Sequence, residues 1–120
     1  MKNFSNKVAA ITGAGSGIGR ALALQLADAG CAVAISDVKE TGLAETAALL
    51  ADKGVKVTQH RLDVADRAAV YAWADQVVAE HGQVNLIFNN AGVALAGSVA
   101  GTSIEDYEWI MNINFWGVVY

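Results

Sequence analysis

Short apolar runs alternate along the chain with longer segments in which apolar residues recur every three or four positions. The short runs predict strands at residues 7–12, 32–36, 55–62 and 84–88. The longer segments predict helices at residues 17–29, 40–53 and 66–81 and a last one from residue 103. This alternation is typical of βαβ units, so we predict an α/β fold with one parallel sheet.

The ends and faces of these elements can also be predicted. Asp66 and Ser103 are expected N-caps, Gly30 and Gly54 are expected stops, and Lys53 is expected to complement the negative end of the second helix. The third strand alternates polar and apolar residues, which favours an edge strand. The apolar stripes expected to face the sheet are Ile18, Leu22 and Leu26; Leu43, Ala47 and Leu50; Val70, Trp73, Val77 and Val78; and Tyr107, Ile110, Met111, Phe115 and Val118.

A glycine-rich loop, Thr12-Gly13-Ala14-Gly15-Ser16-Gly17-Ile18-Gly19, joins the first strand to the first helix. A backbone that turns sharply and passes close to a ligand needs glycine, which has no Cβ to clash. The helix that follows directs its unpaired N–H groups and its positive dipole end at the turn. The spacing is TGxxxGxG and not the common GxGxxG. We therefore predict that this loop holds the pyrophosphate of a dinucleotide.

Asp37 ends the second strand, 18 residues after Gly19. A carboxylate at this place accepts hydrogen bonds from a ribose diol and repels the 2′-phosphate of NADP. We therefore predict NAD in preference to NADP, although Lys39 weakens the repulsion. The alternative role for Asp37 is to cap the following helix.

Polar residues also follow the third and fourth strands, as Asp63-Val64 and Asn89-Asn90-Ala91-Gly92. Position alone does not distinguish a ligand site from a plain turn at either place. Asn114 lies seven residues after Tyr107 and shares its apolar face. A buried carboxamide without partners costs about 1–3 kcal/mol, so we expect it to bond to backbone, water or ligand. The spacing leaves a structural and a functional role open.

The composition limits the class of protein. The chain has 120 residues, of which 54% are hydrophobic and 17% are charged, which fits one globular domain. A net charge of -4 with no basic cluster argues against a nucleic-acid partner. No apolar stretch is long enough for a membrane span and no signal peptide is evident, so we expect no membrane association and a cytoplasmic location. His60 and His81 lack further ligands at metal-binding spacing, so no metal site is predicted, and the lone Cys31 is expected to be a small buried residue.

Taken together, these residues resemble the short-chain dehydrogenase/reductase family over the whole chain. The resemblance rests on five marks that stand in the family's order and spacing: Thr12-Gly13-x-x-x-Gly17-x-Gly19, Asp37, Asp63-Val64, Asn89-Asn90-Ala91-Gly92 and Asn114-Phe115-Trp116-Gly117. It implies a three-layer, doubly wound Rossmann sheet, with strands in the order 3-2-1-4 in this chain and 3-2-1-4-5-6-7 in complete members.

The resemblance also implies roles for single residues. Thr12 and Asn90 would brace the first and fourth strands. Asn114 would belong to the catalytic tetrad, where the family's asparagine holds a water in the proton relay. The implied cofactor-binding residues are Gly13, Ser16, Gly17, Ile18 and Gly19 at the phosphates, Asp37 at the adenosine ribose, Asp63 and Val64 at the adenine, and Asn90 and Gly92 towards the nicotinamide.

The family's chemistry needs a serine, a tyrosine and a lysine four positions after the tyrosine, and the chain does not show this set. The residues four positions after Tyr71 and Tyr107 are Asp75 and Met111, and Tyr120 is the last residue. We therefore expect an incomplete Rossmann domain, residues 1–120, that is inactive alone. In complete form it would be an NAD-dependent oxidoreductase acting on a small carbonyl or secondary alcohol.

Two alternatives stay open: a non-catalytic dinucleotide-binding or self-associating module, and a fragment without an independent role. The resemblance also implies homo-oligomers formed through the fourth and fifth helices. An exposed fourth strand in this chain would permit edge pairing or swapping between copies.

Overall fold

One parallel sheet organises the molecule, which a computed structural model describes over residues 3–120. The strands are β1 (Val8–Ile11), β2 (Ala32–Asp37), β3 (Val57–Arg61) and β4 (Leu86–Phe88). They pair in the order β3-β2-β1-β4, and all three pairings are parallel. The predicted fold class, strand order and edge position of β3 are therefore confirmed.

The first three helices connect consecutive strands and lie on both faces of the sheet, and a fourth follows the last strand. They are α1 (Gly17–Asp28), α2 (Glu40–Leu50), α3 (Arg67–His81) and α4 (Ile104–Met111). A π-helical turn (Asn112–Trp116) joins α4 to the short α5 (Gly117–Val119). The sequence predicted one regular helix here, so the π turn is a correction. None of the helices among residues 3–120 is both long and apolar enough to cross a bilayer.

Two hydrophobic cores lie on opposite faces of the sheet, because successive strand residues point to opposite sides. On one face Ile11 and Ile35 pack with Leu43 and Leu50 of α2, and also with residues of α1. On the other face the core contains Ala10 and Ala34 of the strands, Trp73 and Val77 of α3, and Leu62 and Val64, which follow β3. The predicted three layers are thus present.

Both predicted N-caps are observed. The side chain of Asp66 accepts a hydrogen bond from the Ala69 N–H at 3.0 Å, and that of Ser103 accepts one from the Asp106 N–H at 3.1 Å. Each bond satisfies one of the donors that a helix start leaves without a partner. Gly30 follows the end of α1 with a φ of +83°.

Cys31 is fully buried, as the sequence predicted. Its thiol donates to the Lys7 carbonyl oxygen at 3.3 Å. Burial raises the pKa of Cys31, and a backbone hydrogen bond from Ala9 opposes this in part. A thiol held in this way is a packing group and not a nucleophile.

The predicted apolar stripe of α1 is wrong at Ile18, which is 73% exposed. The helix buries the predicted Leu26 together with Gly19, Ala23 and Ala27. Gly19 packs against the Gly13 peptide, and this turns the neighbouring Ile18 outwards. The stripe is therefore displaced by one residue at its first turn.

Several other helix positions also differ from the prediction. Val78 is exposed on the flank of α3, next to the buried Val77. The second helix ends at Leu50, so Lys53 does not stand in its last turn and pairs with Asp28 at 2.7 Å instead. Gly54 lies beyond that end, in the turn that leads to β3.

The last helical segment exposes most of its predicted stripe. No residue of α4 is buried, and Met111, Phe115 and Val118 are all exposed. Among the described residues only Gly117 of this segment is buried, against Val64. The segment therefore touches the sheet layer at its carboxyl-terminal end.

Candidate functional site

The glycine-rich loop lies where β1 ends and α1 begins, at the carboxyl edge of the sheet. Gly13 and Gly17 have φ angles of +66° and +51°, which residues with a Cβ rarely adopt. Gly19 is buried, and a Cβ there would overlap the Gly13 carbonyl oxygen and lie 2.7 Å from Nδ2 of Asn90. All three predicted glycines are thus required by the shape of the loop.

The first turn of α1 presents free hydrogen-bond donors. The first intrahelical bond runs from the Arg20 N–H to the Ser16 carbonyl oxygen at 3.2 Å. The N–H groups of Gly17, Ile18 and Gly19 consequently have no acceptor among residues 3–120. Ser16, Gly17 and Ile18 are exposed, so the donors open onto solvent at the positive end of the helix dipole. Such a cradle fits a pyrophosphate.

Asp37 is fixed beside this loop at the end of β2. Its Oδ2 accepts a hydrogen bond from the Gly15 N–H at 2.8 Å, and its Oδ1 accepts one from the Lys39 N–H at 3.0 Å. The N-cap of α2 is Lys39, which has no side-chain capping bond, so Asp37 is not the helix cap that was the alternative. Each carboxylate oxygen can accept a further hydrogen bond, so a ribose diol can bind there.

Thr12 and Asn90 join β1 to the segment after β4. The hydroxyl oxygen of Thr12 accepts hydrogen bonds from the N–H groups of Asn90 at 3.1 Å and Ala91 at 3.0 Å. The Asn90 carboxamide donates from Nδ2 to the carbonyl oxygens of Thr12 at 3.1 Å and Gly13 at 3.2 Å. This confirms the predicted brace, and it shows that the side chain of Asn90 also holds the glycine-rich loop at Gly13.

Asp63 and Val64 lie at the same edge of the sheet, after β3. Asp63 is exposed, and its Oδ1 accepts a hydrogen bond from the Ala65 N–H at 2.9 Å, which forms a local turn. Val64 is buried, and a Cβ on Gly117 would lie 2.7 Å from its Cγ2 atom. The structure thus realises the turn, and the contact of these two residues with an adenine ring stays a prediction.

Asn114 lies in the π turn and is bound to the segment after β4. Its Nδ2 donates to the Val93 carbonyl oxygen at 2.8 Å, and its Oδ1 accepts from the Val93 N–H at 2.9 Å. A Cβ on Gly92 would lie 3.3 Å from that Oδ1 atom. The carboxamide therefore bonds to backbone, and it is exposed, not buried as its place on the stripe suggested. Single π turns occur often at functional sites.

Two residues that sequence reasoning missed hold the glycine-rich loop from α1 and α2. Arg20 donates to the Gly15 carbonyl oxygen at 2.6 Å, and Thr46 donates to the Ala14 carbonyl oxygen at 2.8 Å. Thr46 carried a usable signal, because it is a polar residue at helical spacing between the apolar Leu43 and Leu50. Arg20 carried none, since a surface-spaced arginine on a helix is most often solvated.

The predicted site residues therefore meet at one edge of the sheet, and the comparisons with known proteins agree with this geometry. The family model described as short chain dehydrogenase matches residues 7–120. The chain belongs to the short-chain dehydrogenase/reductase family. The chain is 52% identical to the putative oxidoreductase SadH of Mycobacterium tuberculosis over 119 residues. These residues are 99% of this chain and 43% of SadH.

Two further proteins are similar to this chain. Meso-2,3-butanediol dehydrogenase of Serratia marcescens is 39% identical over 117 residues, which are 98% of this chain and 46% of that protein. A crystal structure of a short-chain dehydrogenase/reductase from Burkholderia phymatum in complex with NAD matches with a TM-score of 0.95 and 43% identity. That match covers 99% of this chain and 42% of the other. The chain thus spans less than half the length of these relatives.

Proposed function

We propose that this chain forms the dinucleotide-binding part of an NAD-dependent oxidoreductase that acts on a carbonyl or secondary alcohol. The observation that carries the proposal is the set of free N–H groups at Gly17, Ile18 and Gly19, beside the fixed carboxylate of Asp37. Family membership and the NAD complex of the Burkholderia phymatum relative support it. When bound, NAD supplies the atom that accepts or donates hydride.

The proposed roles follow from where each side chain lies. The first turn of α1, with Ser16 before it, binds the pyrophosphate, and Asp37 binds the adenosine ribose. Asp63 and Val64 flank the adenine, and Asn90 and Gly92 form the floor towards the nicotinamide. Asn114 is the member of the catalytic tetrad that this chain supplies. Its carboxamide bonds to the N–H and the carbonyl oxygen of Val93, which holds it next to Gly92.

The preference for NAD rests on the charge of Asp37. A carboxylate and a 2′-phosphate about 5 Å apart repel by about 3 kcal/mol at an effective dielectric constant of about 20. The Lys39 side chain is exposed, so solvent screens its compensation of that repulsion. We therefore propose NAD as the cofactor in preference to NADP.

The test compares the affinities for NAD and NADP in the product of the complete reading frame. Asp37 also holds the Gly15 N–H, so any substitution disturbs the loop for both cofactors, and the ratio of the two dissociation constants cancels this effect. Asp37→Asn should lower the preference for NAD about tenfold or more. Asp63→Asn removes an equal charge at the same edge and should leave the ratio unchanged. An unchanged ratio in Asp37→Asn, or a wild type that prefers NADP, would contradict the proposal.

We propose that the 120-residue chain alone binds NAD without turnover. The hydroxyl of Tyr107 donates to the Val99 carbonyl oxygen at 3.1 Å, and that of Tyr71 lies 3.3 Å from Nε of Arg67, so neither is paired with a lysine. The tyrosine expected from the family resemblance has a lysine four positions later, so neither residue fills that role. Turnover of any alcohol or ketone by protein of this mass would refute the proposal.

Self-association is also proposed, on a specific surface. Trp109, Phe115 and Trp116 are all exposed along α4 and the π turn, and the rings of Phe115 and Trp116 pack edge to face with centroids 5.2 Å apart. Clustered exposed aromatic residues are typical of interfaces. Sedimentation velocity at several concentrations should show oligomers that Trp116→Glu weakens, and a wild type that is monomeric throughout would refute this.

A further inference from the structure

Arg20 links the glycine-rich loop at residues 12–19, called the phosphate loop below, to α2 through one guanidinium group. Its Nε donates to the hydroxyl oxygen of Thr46 at 2.9 Å, and its Nη2 donates to the Gly15 carbonyl oxygen at 2.6 Å. Nη2 also lies 3.2 Å from the Gly42 carbonyl oxygen and 2.9 Å from a carboxylate oxygen of Glu45. A single side chain of α1 therefore joins the loop to the first two turns of α2.

Thr46 completes this link from inside the protein. Its side chain is fully buried, and its hydroxyl donates to the Ala14 carbonyl oxygen at 2.8 Å while it accepts from Arg20. The loop and α2 are also in close contact, because a Cβ on Gly42 would lie 2.5 Å from the Gly15 carbonyl oxygen. Two consecutive carbonyl groups of the loop are thus held by one connected pair of side chains.

The direction of these carbonyl groups decides where the donors of the loop point. In a planar trans peptide unit the C=O and the N–H of the next residue point in opposite directions. The Gly15 carbonyl is held towards Arg20 and α2, so the N–H of the exposed Ser16 points away from them, towards the open side of the loop. Ser16, Gly17 and Ile18 are all exposed, and none of their N–H groups has an acceptor among the described residues.

We propose that Arg20 is a positioning residue that, together with Thr46, orients the Ser16 N–H and so sets the affinity of the loop for a pyrophosphate. This rests on the proposed function of the loop. Arg20 acts through the geometry of its hydrogen bonds, because Glu45 neutralises its charge at 2.9 Å. A lysine would keep the charge, but it would lack the two separate donors that reach Thr46 and Gly15 together.

The test measures the dissociation constants of ADP-ribose and adenosine in the product of the complete reading frame. ADP-ribose contains the pyrophosphate and adenosine does not. Arg20→Met and Arg20→Lys should each weaken ADP-ribose about tenfold or more and leave adenosine unchanged. Glu45→Gln removes the ion pair but not the loop bonds, so it should weaken neither ligand. Urea unfolding of each variant checks that a loss of binding is not a loss of fold.

Thr46 provides a second variant pair that is closer in shape. Thr46→Val removes the hydroxyl and should weaken ADP-ribose, whereas Thr46→Ser keeps it and should restore wild-type binding. The proposal is overturned if Arg20→Met binds ADP-ribose like the wild type, if Arg20→Lys rescues binding, or if adenosine affinity falls by the same factor. A folded wild type that binds no ADP-ribose would overturn the proposed function itself.

Discussion

Gly19→Ala should damage the phosphate loop more than any other single-methyl change. The new Cβ would overlap the Gly13 carbonyl oxygen and lie 2.8 Å from its carbon, so that peptide must move. The shift breaks the 3.2 Å bond from Asn90 to Gly13. Overpacking costs about 1–3 kcal/mol, the lost bond costs about 1 kcal/mol, and the better helix propensity of alanine returns about 1 kcal/mol. We expect the free energy of unfolding to fall by about 1–3 kcal/mol.

The same shift of the Gly13 peptide changes the shape of the proposed phosphate-binding loop, so NAD affinity should fall about tenfold or more. Urea unfolding followed by circular dichroism measures the first effect, and NAD titration of the folded protein measures the second. Gly82→Ala is the matched control, because Gly82 has a φ of +77° at the end of α3 with nothing near its missing Cβ. It should lose about 1–2 kcal/mol by backbone strain and keep wild-type NAD affinity. The reasoning is refuted if Gly19→Ala binds NAD as Gly82→Ala does.

Three further changes test other parts of the structure. Thr12→Val removes the hydroxyl oxygen that accepts hydrogen bonds from the N–H groups of Asn90 and Ala91. It should lower the free energy of unfolding, measured in urea, by about 2–4 kcal/mol, whereas Thr12→Ser keeps the oxygen and should not. Asn114→Ala removes both bonds to Val93 and should cost about 1–2 kcal/mol by the same assay. Burial, and then the charge of Lys56, lowers the pKa of His81 below its ordinary value of 6.5, so stability should fall as the pH drops below about 6.5. A His81→Gln variant whose unfolding shows the same pH slope there would contradict this.

Local signals in the sequence were enough to predict the elements and their order. Asp66 and Ser103 act within one helical turn, so their capping roles could be read from neighbouring residues. The edge position of β3 followed from its alternating pattern. Because all the strands are parallel, the predicted site residues that follow their carboxyl ends lie at the same edge of the sheet. These predictions depend on contacts between residues close in sequence, or on the regular spacing of side chains along a helix or strand.

What the sequence could not predict depends on contacts between distant segments. Ile18 faces outwards because Gly19 packs on the Gly13 peptide, and helical periodicity alone does not describe so close an approach. Arg20 meets Thr46, 26 positions away, only after α1 and α2 have packed. The π turn around Asn114 changes the helical register after Met111, and within it Ile113 packs on the core while Phe115 and Val118 of the expected stripe are exposed.

The free N–H groups at the start of α1 are proposed to bind the pyrophosphate of NAD. Nuclear magnetic resonance of the 15N-labelled protein during an NAD titration tests this most directly, because each amide reports separately. The amide signals of Gly17, Ile18 and Gly19 should shift and saturate together, while those of His60 and Gly82, away from the loop, stay in place. If NAD leaves these three amides unmoved while the protein is folded, the loop is not the phosphate site and the account is wrong.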